Sequence, residues 1–153
     1  MMPWLMKSEP DVFSIDDLRR KRRETWDGVR NYQARNYLRS MQLGDDVAFY
    51  HSSCAVPAIV GYARISRTAF PDPSQFDPHS AYHDPGSKPE DPRWSAVEVE
   101  YVRTLAHPLT LEVLKSLPAL AQFPLVRKGN RLSVMPVSAD EWQCILSAEP
   151  KDL

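Results

Sequence analysis

The segment Trp26–Tyr37, W-D-G-V-R-N-Y-Q-A-R-N-Y, is dense in side chains that recognise flat polar molecules. It contains one Trp, two Tyr, two Asn, one Gln and two Arg. Aromatic faces stack on bases, whereas Asn, Gln and Arg pair with base edges. The pattern predicts a glycine-containing loop that continues as a helix, a junction that presents free backbone N–H groups. The alternative is that the aromatic residues belong to the core and the polar residues are caps and surface.

Other polar groups stand at the predicted ends of strands and helices, where they could join this segment in one pocket. Lys7 and Ser8 end a first strand, His51 and Ser52 follow another, and the mouth of the second helix contributes Asn31, Tyr32 and Arg35. Stacking of a base on an aromatic ring contributes roughly 1–3 kcal/mol. Matched donors and acceptors at the base edge would then set its identity.

Phosphate contacts would have to offset the cost of extruding a base from a duplex, which is a few kcal/mol. The net charge of −1 does not by itself favour nucleic acid. The charge is uneven, however, because Arg19–Arg39 contains eight positive and two negative residues, a local balance of +6. A solvated helix end is the alternative for the first basic run. The candidate backbone contacts are Arg19, Arg20, Arg22, Arg23, Arg127, Lys128 and Arg131.

The sequence lacks the common catalytic and metal-binding motifs. It has no phosphate loop, dinucleotide fingerprint, Gly-x-Ser-x-Gly elbow or His-Glu-x-x-His. The four histidines do not fall at metal-ligand spacing. Cys54 and Cys144 are far apart in the sequence, which fits reduced thiols better than a disulfide framework or a zinc site. His51 beside Ser52 could support acid–base or nucleophilic chemistry, but no orienting third group is identifiable. We therefore expect no catalytic residue, no metal and no cofactor.

Length and composition are those of a single soluble domain over residues 1–153, with 42% apolar and 25% charged residues. No run approaches the roughly 18 apolar residues of a membrane span. The N-terminus lacks a basic region followed by a longer apolar stretch, so no signal peptide is expected. These features favour a cytoplasmic protein that does not bind membranes.

The order of elements predicts an α+β domain around a strongly bent sheet or a small barrel. Helices are expected from Ser14 to about Arg22 and over Tyr32–Met41, where Ala34, Tyr37, Leu38 and Met41 form one apolar stripe. A long proline-rich loop covers Phe70–Pro92, and loops of this length are usually functional or disordered. The further predicted elements are strands at 3–7, 47–51, 58–65, 94–105 and 132–135, and helices from Thr110 to Ser116 and after Ser138.

Six motifs, in order over nearly the whole chain, resemble the EVE domain family of the PUA-like superfamily. They are W-L-M-K-S-E-P from Trp4, W-D-G-V-R-N-Y-Q-A-R-N from Trp26, Y-H-S from Tyr50, F-D-P from Phe76, P-R-W from Pro92 and R-L-S-V from Arg131. The resemblance implies a PUA-like mixed sheet curled into a pseudobarrel surrounded by helices. It also implies kinship with YTH domains, which hold a methylated base in an aromatic cage.

The family resemblance implies a non-catalytic domain that binds a methylated or hydroxymethylated base in DNA or RNA. Trp26 corresponds to the cage aromatic, Lys7 and Ser8 to the pocket floor, and Asn31 and Arg35 to partners of the base edge or phosphate. His51 and Ser52 would complete the pocket, and Tyr82 and Asp84 lie in a loop that could form a lid. Eukaryotic nuclear members carry a basic N-terminal extension that is not seen here, which favours a bacterial, cytoplasmic member.

Two other functions remain open at the level of sequence. The same pocket could serve a module that binds a small ligand or a protein. An enzyme acting on a base or nucleotide is the third possibility. Binding of a free nucleoside, without any contribution from an oligonucleotide, would favour the small-ligand module. Turnover that depends on His51 would favour the enzyme.

Overall fold

The computed structural model describes residues 2–151 and has six strands and four α-helices in that range. The strands are β1 Trp4–Ser8, β2 Arg23–Trp26, β3 Asp46–His51, β4 Ala58–Pro71, β5 Ser95–Thr110 and β6 Val134–Pro136. The helices are α1 Ile15–Lys21, α2 Tyr32–Ser40, α3 Leu111–Ser116 and α4 Ala139–Ala148. Short 3-10 turns occupy Pro73–Phe76, Pro118–Leu120 and Pro124–Val126.

All six strands form one mixed sheet in the order β2-β5-β4-β3-β1-β6. The β1–β3 pair is parallel and the other neighbours are antiparallel. The α+β class and the mixed sheet expected of a PUA-like fold are confirmed. Among the described residues the outer strands β2 and β6 do not pair with each other, so the sheet does not close into a barrel.

Gly61 lies at an irregularity in the pairing of β4 with β5. The pairing register shifts between Ile59 and Gly61 and again farther along the strand. A Cβ at Gly61 would lie 2.6 Å from the Arg103 carbonyl oxygen and 2.9 Å from the Ile15 side chain. No side chain fits at this position without displacing backbone, which explains the glycine inside the strand.

The sheet buries a separate hydrophobic cluster on each face. Successive side chains of β1 point to opposite faces and so belong to different clusters. Trp4 and Met6 pack with α1 and α2, whereas Leu5 packs with α3 and α4. Strand β1 is thus buried on both sides, and only its C-terminal residues Lys7 and Ser8 become partly exposed. This position places the polar end of β1 at the rim of the sheet.

The predicted helices are confirmed with their caps. Ser14 and Ser138 form capping boxes at α1 and α4, and Thr110 caps α3. In α2 the apolar stripe faces the core, with Leu38 fully buried and Tyr37 tilted against Trp4 at 5.9 Å.

Strand β2 was not predicted, and several strand bounds differ from the predicted ones. The segment before Trp26 was expected to be a loop, but it pairs with β5 so that Trp26 faces Val97. Only four residues pair, and their alternation of exposed and buried side chains is weak. Strands β4 and β5 run farther than predicted, to Pro71 and Thr110, whereas the last strand begins at Val134, two residues later than predicted.

Candidate nucleic-acid interface

A cavity of about 690 Å³ opens where the end of β1, the end of β2 and the start of α2 meet. Its volume falls in the range of sites that hold small organic groups. Six of the ten predicted binding residues line it: Lys7, Ser8, Trp26, Asn31, Ser52 and Tyr82. The adjoining residues 130–133 contribute Arg131 and Ser133 to the same wall.

Trp26 forms an aromatic part of the wall and is also a core residue. Its side chain is only 9% exposed, and its ring meets Phe49 edge-on at 5.6 Å. Pairing of β2 with β5 fixes the position of its backbone. The cavity therefore has a rigid aromatic surface, whose role in binding a ligand stays a prediction.

Lys7 is the half-buried cation of the cavity. Its backbone N–H donates to the Ser133 carbonyl oxygen at 2.8 Å, which ties the end of β1 to residue 133. Within residues 2–151, the Lys7 ammonium group makes no hydrogen bond or ion pair. Burial lowers its pKa. A cation in this position favours a ligand that brings a carbonyl oxygen or a phosphate.

Ser8 and Ser52, which line the cavity with Lys7, each donate one hydrogen bond to a carbonyl oxygen of the protein. The Ser8 hydroxyl donates to the Phe13 carbonyl oxygen at 2.5 Å, so it can meet a ligand only as an acceptor. The Ser52 N–H donates to the Ser8 carbonyl oxygen at 3.0 Å, which leaves the Ser52 side chain at the cavity.

Tyr82 from the long loop covers Gly28 and forms the outer wall. A Cβ at Gly28 would lie 2.7 Å from the Tyr82 ring, so only glycine permits this contact. Arg30 donates to the Tyr82 carbonyl oxygen from Nη2 at 2.7 Å and from Nε at 3.1 Å. Tyr82 itself is 45% exposed. The loop thus contributes one lining side chain, and its action as a lid stays a prediction.

A buried ion pair holds the long loop against the cavity. Asp72 is fully buried and accepts hydrogen bonds from Arg30 Nη1 at 2.9 Å and from the Gly28 N–H at 2.8 Å. It also accepts from the backbone and hydroxyl of Ser74. Neither partner was among the predicted functional residues, because their separation of 42 residues gives no local signal.

Asn31 lines the cavity but also serves as the N-cap of α2, where its side-chain oxygen accepts from the Ala34 N–H at 2.9 Å. Tyr32 and Arg35 lie outside the cavity lining. Tyr32 is stacked on Trp94 at 4.9 Å, and the Arg35 guanidinium lies over Tyr32 and donates to the Arg93 carbonyl oxygen. The first turn of α2 therefore packs against Arg93 and Trp94, just after the long loop, and not in one pocket with Lys7 as expected.

His51 and Asp84 also lie outside the cavity lining, and each has a structural partner. His51 Nε2 accepts from the Ile15 N–H at 3.1 Å, and burial lowers its pKa. Asp84 accepts from Trp94 Nε1 at 2.7 Å and from Arg93 at 3.0 Å. The Trp94 hydrogen bond is the main cause of the lowered pKa of Asp84. Both side chains stabilise local structure instead of completing the pocket.

The two predicted basic runs differ in how their charges are paired. Arg20 forms an ion pair with Asp17, Arg19 pairs more loosely with Asp16 at 3.7 Å, and Arg23 pairs with Glu100 at 2.8 Å. Arg22 lies over the Tyr101 ring. Neighbouring carboxylates therefore neutralise part of the positive charge that the sequence shows in this first basic run.

The second basic run adjoins the cavity. Arg131 lines it, and neither Arg131 nor Lys128 forms an ion pair within the described part of the chain. Arg127 donates to the Gln122 side chain at 2.7 Å. Unpaired cations next to a cavity attract phosphate more strongly than cations already paired with carboxylates.

Asp27 also lines the cavity, although it was not among the predicted binding residues. It follows Trp26 directly and is exposed at the wall. Desolvation, followed by the nearby Asp72 carboxylate, raises its pKa. In the sequence, its position directly after Trp26 was the only indication that it lines the same pocket.

Comparison with known proteins identifies the family. The EVE domain model matches residues 3–148. The chain belongs to the EVE domain family. Human thymocyte nuclear protein 1 is 41% identical over 168 residues, which cover 97% of this EVE domain and 74% of the human protein.

Two solved structures place this EVE domain among its relatives. A crystal structure of a Pseudomonas syringae protein has a TM-score of 0.94 and 53% identity, and the match covers 97% of this chain and 99% of that chain. The human THYN1 protein in complex with 5-methylcytosine-containing DNA has a TM-score of 0.90 and 42% identity, with both chains covered completely. That human relative thus binds DNA containing a modified base.

Three further observations concern residues 2–151. No group of three or more His, Cys, Asp or Glu side chains there could hold a metal ion. Both cysteines are free. No helix in this range is long and apolar enough to cross a membrane.

Proposed function

We propose that this EVE domain binds DNA carrying a modified base and holds that base in the cavity beside Trp26. The observation on which the proposal rests is the combination of a rigid indole surface with a half-buried lysine ammonium that has no described protein partner. A base can stack flat on an aromatic face, and the ammonium can donate a hydrogen bond to an oxygen on the base edge. The human relative bound to 5-methylcytosine-containing DNA supports the same ligand class.

The surrounding groups fit this arrangement. Lys7 and the Ser52 hydroxyl can donate to the edge of the base, and Ser8 can accept. Arg131 lines the cavity and Lys128 is three residues away in the chain, so both are candidates to contact the phosphates that flank an extruded nucleotide. Phosphate contacts of this kind offset the few kcal/mol needed to unstack a base.

We infer that the domain acts by binding and not by catalysis. His51, the strongest candidate for acid–base chemistry, uses its Nε2 lone pair to accept the Ile15 N–H and does not line the cavity. Turnover of a base or nucleotide that is lost in His51→Ala, with binding retained, would contradict this inference. We also infer a bacterial cytoplasmic protein, a setting consistent with two free thiols and the similar Pseudomonas protein.

The test compares two lysine variants in their binding to DNA duplexes that differ only in one 5-methylcytosine. Lys7→Met removes the cavity ammonium, and Lys115→Met removes an exposed charge of α3 as a matched control. Charge-assisted hydrogen bonds contribute about 1.5–3 kcal/mol. We expect Lys7→Met to lower affinity for the methylated duplex about tenfold or more, and Lys115→Met to leave it within about twofold.

The aromatic wall is tested with Trp26→Phe, since Trp26→Ala would also leave a core void beside Phe49. The smaller ring should reduce the preference for the methylated duplex while leaving most non-specific affinity. Equal affinity of the wild type for methylated and unmethylated strands would contradict the proposed function. Tight binding of the free nucleoside, with no gain in affinity from the oligonucleotide, would support a small-ligand module instead. The same measurements on RNA strands of matching sequence would decide between DNA and RNA.

A further inference from the structure

Asp27 has no role in the proposed function, although it lines the same cavity as Trp26 and Lys7. It is the residue after Trp26, it lines the cavity, and its side chain is exposed there. It forms no ion pair with any residue in the described range. The carboxylate therefore faces the cavity as an acceptor that has no cationic partner.

The neighbouring charges leave Asp27 in need of a hydrogen-bond donor. Burial is the main cause of the raised pKa of Asp27, and the like charges of Asp72 and Glu24 raise that pKa further. Arg30 is the nearby cation, but its guanidinium is committed to Asp72, to Ser74 and to the Tyr82 carbonyl oxygen. A ligand that donates an N–H to Asp27 would relieve this shortage, whereas a ligand that presents another oxygen would add to the repulsion.

We propose that Asp27 accepts a hydrogen bond from the exocyclic amino group of the bound base, so that the cavity selects an aminopyrimidine over its keto analogue. This inference rests on the proposed function. Cytosine presents an N4 amino donor and an O2 acceptor on its edge, whereas thymine presents the O4 acceptor in place of the amino group. Asp27 and Lys7 supply one acceptor and one donor from different walls of the same cavity, which matches the cytosine pattern.

The pair 5-methylcytosine and thymine provides the sharpest test, because both carry the 5-methyl group and they differ in the substituent at C4 and the proton at N3. We would measure affinities for single-stranded oligonucleotides that are identical except for one central 5-methylcytosine, thymine or cytosine. A good contact of this kind discriminates by about tenfold or more. The wild type should therefore prefer 5-methylcytosine to thymine by at least about tenfold.

The variant Asp27→Asn keeps the shape of the side chain but adds an amide donor that can serve the O4 of thymine. We expect its preference for 5-methylcytosine over thymine to fall to within about threefold, while its preference for 5-methylcytosine over cytosine is largely retained. Asp46→Asn changes an exposed carboxylate of β3 outside the cavity and should keep the wild-type ratio. Equal thermal midpoints would confirm that both variants fold.

The outcomes separate the two proposals. If the wild type prefers 5-methylcytosine to cytosine and Asp27→Asn keeps the full preference over thymine, the role of Asp27 is wrong and the proposed function stands. The role is also wrong if the wild type binds the thymine strand as tightly as the 5-methylcytosine strand. If the wild type fails to distinguish 5-methylcytosine from cytosine in any strand, the proposed function falls and the role of Asp27 falls with it.

Discussion

The Arg30–Asp72 pair determines whether the long loop stays in place beside the cavity. Asp72 is fully buried, and Arg30 provides its cationic partner. Removing one member of a buried pair leaves the other charge uncompensated, at a cost of about 3 kcal/mol or more. Arg30→Met should therefore lower the free energy of unfolding by about 3 kcal/mol in urea titrations.

The matched control is Arg19→Met, which breaks an exposed pair with Asp16 at 3.7 Å. Exposed ion pairs contribute about 0–1 kcal/mol, so this variant should stay near the wild type. Similar losses in both variants would show that the Arg30–Asp72 pair is no more important than a surface contact.

His51 gives the fold a pH dependence whose direction can be worked out. Its pKa is lowered by burial, and its neutral ring accepts the Ile15 N–H. As pH falls below the ordinary value of about 6.5, the unfolded chain takes up a proton that the folded chain resists, so stability falls. His51→Gln keeps a possible acceptor without titrating and should lose less stability than the wild type between pH 7.5 and pH 5.

The control for this measurement is His79→Gln, which changes an exposed histidine of the long loop. It should show the wild-type loss of unfolding free energy over the same pH range. An unchanged pH dependence in His51→Gln would contradict the assigned contact.

Individual residue roles were predictable from sequence only where the signal was local. Asn31 was identified as a residue at the mouth of a helix, and it is the N-cap of α2. Arg35 was predicted to contact a ligand, but its partner is the Arg93 carbonyl oxygen, 58 residues away. A sequence gives the chemistry of a guanidinium group but not which distant oxygen it meets.

At the scale of elements, the wall of the cavity depends on the contact between the Gly28 turn and Tyr82. Gly28 has φ of +77°, and a Cβ there would lie 2.7 Å from the Tyr82 ring. Gly129 has a similar φ of +83° with no neighbour within 4 Å. Both Gly→Ala variants should lose roughly 1–2 kcal/mol from backbone strain.

Gly28→Ala should lose at least about 1 kcal/mol more than Gly129→Ala, because the Tyr82 ring must move. Combining Gly28→Ala with Tyr82→Ala should remove this excess relative to Tyr82→Ala alone, which thermal or urea unfolding of the four variants would show. Equal costs for the two glycine variants would mean that Tyr82 yields freely and does not form a fixed wall.

Elements were predictable where caps and periodicity agreed. Ser14 and Ser138 mark α1 and α4 in sequence, and both caps form. Strand β2 was missed because four paired residues at a sheet edge show little periodicity. Its pairing with β5, more than 70 residues away in the chain, is what turns Trp26 from a loop aromatic into a fixed wall.

At the scale of the whole molecule, charge pairing favours one path for a nucleic-acid backbone. Arg131 and Lys128 have no carboxylate partner in the described chain, whereas Arg19 and Arg20 are paired. Each lost phosphate contact lowers the slope of log K against log salt by about 0.9 on duplex DNA.

The double variant of Lys128→Ala and Arg131→Ala should therefore flatten the salt dependence by about 1 to 2, with affinity falling for methylated and unmethylated duplexes alike. The double variant of Arg19→Ala and Arg20→Ala should change the slope little. The opposite pattern in salt titrations would place the backbone along α1 instead.

The central claim is that a modified base enters the cavity and stacks on Trp26. The most direct measurement is fluorine NMR of the protein labelled with 5-fluorotryptophan. The four tryptophans give four signals, which single Trp→Phe variants assign. Trp142, packed against Tyr62 in the opposite core, serves as an internal reference. Saturation with a 5-methylcytosine duplex should shift the Trp26 signal strongly and leave that of Trp142 in place. An unmoved Trp26 signal at saturation, or the same shift with the unmethylated duplex, would contradict the account.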